Sequence, residues 1–155
     1  VQRAFTVIFL ATLAVWFLQS FDARLNPVTV AEASLLSHLG KLLAPLFYPL
    51  GFSDWRLTTA LISGLTAKEA VVSSLGVLMQ GTSADLPLML GQLLTPLSAA
   101  SYLVFVLLYT PCVASIAAMR KELGSGAQTL LAVIAQCVLA WLVAWAVALL
   151  GRLVF

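Results

Sequence analysis

Four long apolar runs leave this chain few ways to fold. Residues 4–21, 55–79, 96–119 and 127–150 carry few charged side chains or none, and each is close to the ~20 residues a helix needs to cross a bilayer. In hydrocarbon no water is present to bond a backbone N–H or C=O, so such runs must close their hydrogen bonds as helices. The expected class is all-α: a polytopic helical membrane protein with about four transmembrane helices plus one interfacial or re-entrant helix. Composition agrees, since 62% of residues are hydrophobic and 9% charged, against roughly 45–50% and about 25% in soluble domains. A soluble enzyme has no place in that reading. The 8 Lys+Arg and 6 Asp+Glu residues are scattered, for a net charge of +2. With no basic run to track phosphates, nucleic-acid binding has no support. Cys112 and Cys137 lie inside apolar runs, unlike the loop-borne cysteines of a secreted disulfide framework.

Residues 1–155 are expected to be one membrane domain and a piece of something longer, because the chain opens on Val1 with no signal-peptide pattern. Residues 1–27 hold the first span, closed by Asp22, Arg24 and the Asn26-Pro27 turn signal. Residues 28–53 form an amphipathic or re-entrant segment. There Leu35, Leu36, Leu39, Leu42 and Leu43 recur at helical spacing, interrupted by His38 and Lys41, until Pro45 and Pro49 break the pattern. Residues 54–122 follow as a core: Asp54 caps a helix over 55–79, residues 81–95 are loop-like with the alternative that Leu86 to Leu94 lie on the membrane surface, and Thr95 caps a third span opened by Pro96. Arg120-Lys121-Glu122 and Gly124-Ser125-Gly126 make the next turn, and residues 123–155 supply the last span. The positive-inside bias puts the Arg120-Lys121 turn in the cytoplasm and the 81–95 loop, which lacks Lys and Arg, outside.

Lys68 and Glu69 stand near the middle of the second run, where an unpaired charge costs about 3 kcal/mol. On a continuous helix Ile62, Thr66, Glu69, Ser73 and Gly76 share one small, polar face. A carboxylate with neighbouring hydroxyls can line a cation path; the competing reading is small-residue helix packing with Lys68 and Glu69 as interhelical glue. The Tyr109-Thr110-Pro111-Cys112 stretch interrupts the third run. Pro111 has no N–H to give and leaves the Leu107 carbonyl without its usual partner, so this span is expected to break at Pro111. Thr110 then caps a new half-helix with Pro111 at its first position. Cys112, Ser115 and Met119 follow on one face, a thiol, a hydroxyl and a thioether, and soft sulfur suits a late first-row metal better than Na⁺, Mg²⁺ or Ca²⁺. The competing reading is a proline kink beside a buried, inert cysteine. His38, the only histidine, has no second ligand at metal spacing and is assigned to the surface or to packing. An interhelical hydrogen bond and ordinary packing account for Gln136 and Cys137. The chain contains no P-loop, HExxH or G-x-S-x-G motif.

Asp54-Trp55-Arg56, Gly64-Leu65-Thr66-Ala67-Lys68-Glu69, Ser74-Leu75-Gly76-Val77-Leu78, Leu108-Tyr109-Thr110-Pro111-Cys112-Val113-Ala114 and Arg120-Lys121-Glu122 occur in this order. Together they resemble the C-terminal membrane part of the bacterial ferrous iron transporter B (FeoB) family, most closely over residues 44–122. The resemblance implies an inner-membrane, multi-pass Fe²⁺ uptake protein with two related Gate segments, each bearing a Pro-Cys motif, of which Tyr109–Cys112 matches the second. Residues 54–122 would then be the Gate-like core. It also implies an N-terminal GTPase domain that uses GTP and Mg²⁺. This sequence lacks that domain and the first Gate, so it is expected to be a fragment or one half of a split transporter.

On that resemblance the chain forms part of an Fe²⁺ translocation path, with Cys112, Glu69, Tyr109, Ser115 and Met119 as transient ligands and Lys68, Ser73, Thr110 and Pro111 as supporting residues. No permanently bound cofactor is expected. Implied partners are the lipid bilayer, the remaining domains of the transporter, a second copy of the chain and small accessory Feo proteins. One rival is a nucleoside-permease-like Gate transporter of an organic solute, which needs aromatic and amide groups around an apolar pocket. Another is a structural membrane subunit without a substrate site, which predicts that Glu69 and Cys112 tolerate Gln and Ser.

Overall fold

A computed structural model of the chain describes residues 2–22, 26–27, 31–66, 70–79, 86–109 and 112–154. Among them the chain is helical, with no β-strand: α1 Gln2–Ser20, a 3₁₀ turn Ala31–Ala33, α2 Leu35–Leu43, a 3₁₀ stretch Ala44–Leu50, α3 Trp55–Ser63, α4 Ala70–Leu78, α5 Leu86–Leu93, α6 Pro96–Leu108, α7 Val113–Leu123 and α8 Gly126–Val154. The caps follow the sequence. Asp54 accepts the Arg56 N–H at 2.7 Å, Thr95 accepts the Ser98 N–H at 3.3 Å with Pro96 at the first helical position, and Ser34 caps α2 in the same way.

Length separates the helices. At 1.5 Å per residue α8, with 29 residues, runs about 43 Å and exceeds the roughly 30 Å hydrocarbon core. Among the described residues it is the one helix that is long and apolar enough to cross by itself; α6 and α7 qualify only as a bent pair, their axes 41° apart. Surface chemistry points to an apolar solvent. Helix α8 turns Ala140, Ala144 and Ala148 inward and exposes Leu130, Leu131, Ile134, Leu139 and Leu150, the inverse of a water-soluble helix. Small residues against neighbours and large ones outward is how helices pack in lipid. The same holds for α2, where Ser37 and Gly40 are buried while Leu39, Leu42 and Leu43 are exposed. The leucine stripe of residues 28–53 is therefore split: Leu36 is fully buried and Leu35 half-buried, while Leu39, Leu42 and Leu43 face away from the protein.

Helix α6 lies against α8, α2 against α3, α3 against α4, and α1 and α8 against α7. The core between them is aromatic. Phe52 meets Tyr102 edge-on with centroids 5.0 Å apart, Phe47 meets Phe105 at 5.2 Å, and Phe105 stacks on Tyr109 at 5.5 Å. Leu50, Leu57, Leu61 and Leu75 fill the space around these rings.

Several expectations are corrected. The helix expected over 55–79 is not continuous: α3 stops at Ser63 and Gly64–Thr66 is a turn, so the face from Ile62 to Gly76 does not exist as one stripe. Hydroxyls help to end α3, because Thr59, Ser63 and Thr66 bond back to the carbonyls of Trp55 (2.7 Å), Thr59 (3.3 Å) and Ser63 (2.8 Å), and such local bonds compete with the helical ladder. The backbone tightens in response. Leu65 and Thr66 donate to Ile62 and Ser63, three residues back. Lys68 and Glu69 lie outside the described residues. The loop-like 81–95 segment contains helix α5, whose Pro87 sits in the first turn, where its missing N–H costs nothing. Arg120, Lys121 and Glu122 belong to the last turn of α7 rather than to a loop, where the two cations favour the helix C-terminus. The stop comes at Gly124, whose φ of 64° is the left-handed region that glycine occupies without strain.

Candidate functional site

The chain breaks helical structure twice within its core, and the two breaks touch. Helix α6 ends at Leu108 with Tyr109 extended (φ −65°, ψ 172°), and α7 begins at Val113 after an extended Cys112 (φ −56°, ψ 161°). Thr110 and Pro111 lie outside the described residues. The expected break is present, but the residue that caps α7 is Cys112, not Thr110, and its side chain makes no cap bond. The new helix therefore starts after the proline rather than on it.

A broken helix leaves backbone groups without partners, and in an apolar surrounding each such group costs several kcal/mol. Here each break supplies the other. Val113, first residue of α7, donates its N–H to the Leu65 carbonyl in the α3 break at 2.9 Å. The Tyr109 hydroxyl donates to the Leu61 carbonyl at 3.2 Å, a carbonyl from which Leu65 N–H has turned away. Two flanking helices complete the layer: Gln136 of α8 donates to the Leu108 carbonyl at 3.4 Å, and Gln19 of α1 donates to the Ser63 hydroxyl at 3.1 Å. The interhelical bond expected of Gln136 is thus present. Its acceptor is Leu108, one residue beyond the Leu107 carbonyl that Pro111 was expected to free. Gly64 sits at the closest approach, where a Cβ would overlap both the Tyr109 hydroxyl and Val71 Cγ2.

Of the sequence-predicted site residues, Tyr109 and Cys112 flank the second break and Ser115 lies beside it, with the Cys112 thiol 3.6 Å from the Ser115 hydroxyl. Cys112 and Ser115 are half-buried, as is Met119 one turn further along α7. Tyr109 is buried, and its hydroxyl is engaged with Leu61. Ser73 is exposed on α4. Cys137 lies in uninterrupted α8. His38 is exposed, 3.9 Å from Asp22 Oδ1, in keeping with a surface role. Among the described residues no three His, Cys, Asp or Glu side chains gather as a metal cage. Beside the second break the described residues bring together one thiol, that of Cys112, and the Ser115 hydroxyl. Sequence reasoning missed Gly64, Leu61 and Leu65. The Ser63-Gly64 pair followed by Thr66 was the available signal, because small and hydroxyl-bearing residues together weaken a helix.

Residues 1–126 match the family model for Gate, described as nucleoside recognition. The chain belongs to the Gate family. This Gate chain is 35% identical over 162 residues to the Fe(2+) transporter FeoB of Methanocaldococcus jannaschii, covering 99% of the chain and 24% of that protein. It is 35% identical over 153 residues to the protein of the same name from Staphylococcus aureus strain MSSA476, covering 99% and 23%. With a Porphyromonas gingivalis fusion of Fe(2+) transport protein A and Fe(2+) transporter FeoB, 34% identity extends over 80% of the chain and 16% of the fusion. The Gate chain thus spans about a quarter of the length of the first two of these relatives. No solved structure matches it.

Proposed function

We propose that this Gate chain is the membrane part of a FeoB-type ferrous iron transporter, multi-pass in the bacterial inner membrane, and that the crossing of its two broken helices lies on the Fe²⁺ path. The observation that carries the reading is the Cys112 thiol at a backbone break inside a fold whose longest helix, α8, exposes its large apolar side chains. Broken helices bring carbonyls and ligand side chains to mid-membrane, where irregular backbone is tolerated only around a cavity or inside protein. Cys112 acts as a transient soft ligand, assisted by Ser115 and by carbonyls released when the crossing parts. Lys68 and Glu69 stand three and four residues beyond Leu65 in the sequence, Glu69 as an anionic group of the path and Lys68 as its charge balance. The remaining three quarters of such a transporter supply GTP and Mg²⁺ binding and the first Gate, and an accessory protein of the transport protein A kind is a partner, as the fused relative suggests. Against a nucleoside, two amides described near the crossing, Gln19 and Gln136, each donate to protein.

Uptake of radiolabelled Fe²⁺ by cells carrying the intact protein tests the reading. Cys112→Ser keeps the size but replaces a soft ligand with a hydroxyl that does not ionise near neutral pH. It is expected to lower uptake at least tenfold at matched membrane levels, with Cys137→Ser close to wild type. Equal uptake by wild type and Cys112→Ser removes the ligand role and leaves the structural-subunit reading standing.

A further inference from the structure

Among the described residues, two bonds join the breaks directly. The Val113 to Leu65 bond joins backbone to backbone, so no side chain tunes it. The Tyr109 to Leu61 bond depends on one phenol, and the space for that phenol depends on residue 64 having no side chain. The ring of Tyr109 is fixed laterally by its stack on Phe105, which leaves the hydroxyl as its link to α3. Tyr109 is also the last residue of the α6 cap, three before Cys112. With Cys112 only three residues beyond Tyr109, a fixed Tyr109 limits how far the thiol can travel.

We propose that Gly64 and Tyr109 form a matched pair that positions the Cys112 thiol, with the Tyr109 hydroxyl latching α6 onto the Leu61 carbonyl and Gly64 admitting it. Tyr109 is thus a positioning residue rather than the metal ligand expected from its place in the sequence. The assignment rests on the transport reading for its purpose, but its geometry is testable without iron. Loss of the latch loosens the break and exposes the thiol more often, while the Val113 to Leu65 bond keeps the fold.

The test uses membranes carrying the intact protein with Cys137→Ser. The rate at which N-ethylmaleimide modifies Cys112 is taken as the difference from the Cys112→Ser control. Cys112 is half-exposed before the latch is lost, so Tyr109→Phe is expected to raise that rate by at least about twofold, the part of the opening change that adds to labelling of the closed state. Gly64→Ala is expected to raise it at least as far. With Val71→Ala in both, since Val71 Cγ2 meets the same new methyl, the double variant should label more slowly than Gly64→Ala alone, because the hydroxyl that collides with that methyl is gone. Should Gly64→Ala fail to reach the membrane, recovered membrane levels in the double variant are the same suppression read on abundance. Unchanged labelling in Tyr109→Phe, or a double variant no better than Gly64→Ala, overturns the pairing. Neither result bears on whether the cargo is iron, which the uptake of Cys112→Ser decides.

Discussion

Two tyrosines one heptad apart make the same bond with unequal consequence. Tyr102 donates to the Leu57 carbonyl at 3.2 Å, and Tyr109 donates to the Leu61 carbonyl at 3.2 Å. Donor, distance and burial are alike. The acceptors differ. Leu57 lies within α3, where the helical pattern gives its carbonyl the Leu61 N–H as well. Leu61 lies at the break, and the N–H that the ladder would assign to it, that of Leu65, goes to Ile62 at 3.1 Å. Tyr102→Phe therefore removes a second bond from a satisfied carbonyl, and the average interhelical hydrogen bond in membrane proteins sets the cost at about 0.6 kcal/mol. Tyr109→Phe strands a buried carbonyl and should cost about 1–3 kcal/mol. Both substitutions keep the ring and its packing, so the difference isolates the acceptor. Unfolding of the purified intact protein in mixed micelles, titrated with dodecyl sulfate and followed by tryptophan fluorescence, gives the two values side by side. Equal costs, or a larger cost for Tyr102→Phe, would refute the claim that the breaks satisfy each other. Tyr102→Phe should also leave the labelling of Cys112 unchanged.

Gly40→Ala tests the seat of α2. A Cβ there overlaps Thr59 Oγ1 and stands 3.0 Å from the Trp55 carbonyl and 3.1 Å from the Thr59 nitrogen, atoms of backbone that cannot swing aside. A loss of about 1–3 kcal/mol is expected in the same titration, and a neutral result means that α2 does not approach α3 this closely. Gln136→Leu removes the donor to Leu108 and should cost about 1 kcal/mol, again read by unfolding; a stabilised variant shows that the amide bond contributes nothing.

Much of the architecture was legible because it depends on local chemistry. Asp54 and Thr95 mark helix starts through bonds made within three residues, and Pro96 through its fixed backbone angle at the first position, and a reader needs no tertiary information to find them. The apolar solvent was legible from composition, but the direction of each face was not. Leu35, Leu36, Leu39, Leu42 and Leu43 form a stripe in any solvent; that Leu39, Leu42 and Leu43 are exposed while Ser37 and Gly40 are buried depends on what α3 presents to them. Span length misled for a related reason. Apolarity over 55–79 says that the segment avoids water, not that it stays one helix, since a break in lipid needs only partners for its freed groups.

Those partners explain why one break was visible and the other was not. The break after Leu108 has a covalent cause, because Pro111 lacks an N–H in any context. The break after Ser63 has no proline. A run containing Thr59, Ser63, Gly64 and Thr66 is a weak helix rather than a forbidden one, and it would close its own ladder if nothing else were offered. What is offered comes from 48 residues along the chain, the Tyr109 hydroxyl for Leu61 and, beside it, the Val113 N–H for Leu65. The proline creates the second break's donors, and the weak helix yields to them. On this argument the break after Leu108 is the cause and the break after Ser63 its consequence. A repaired α6 to α7 helix would withdraw both donors and let α3 run on through Gly64, removing the crossing and the cation path proposed for it in one step.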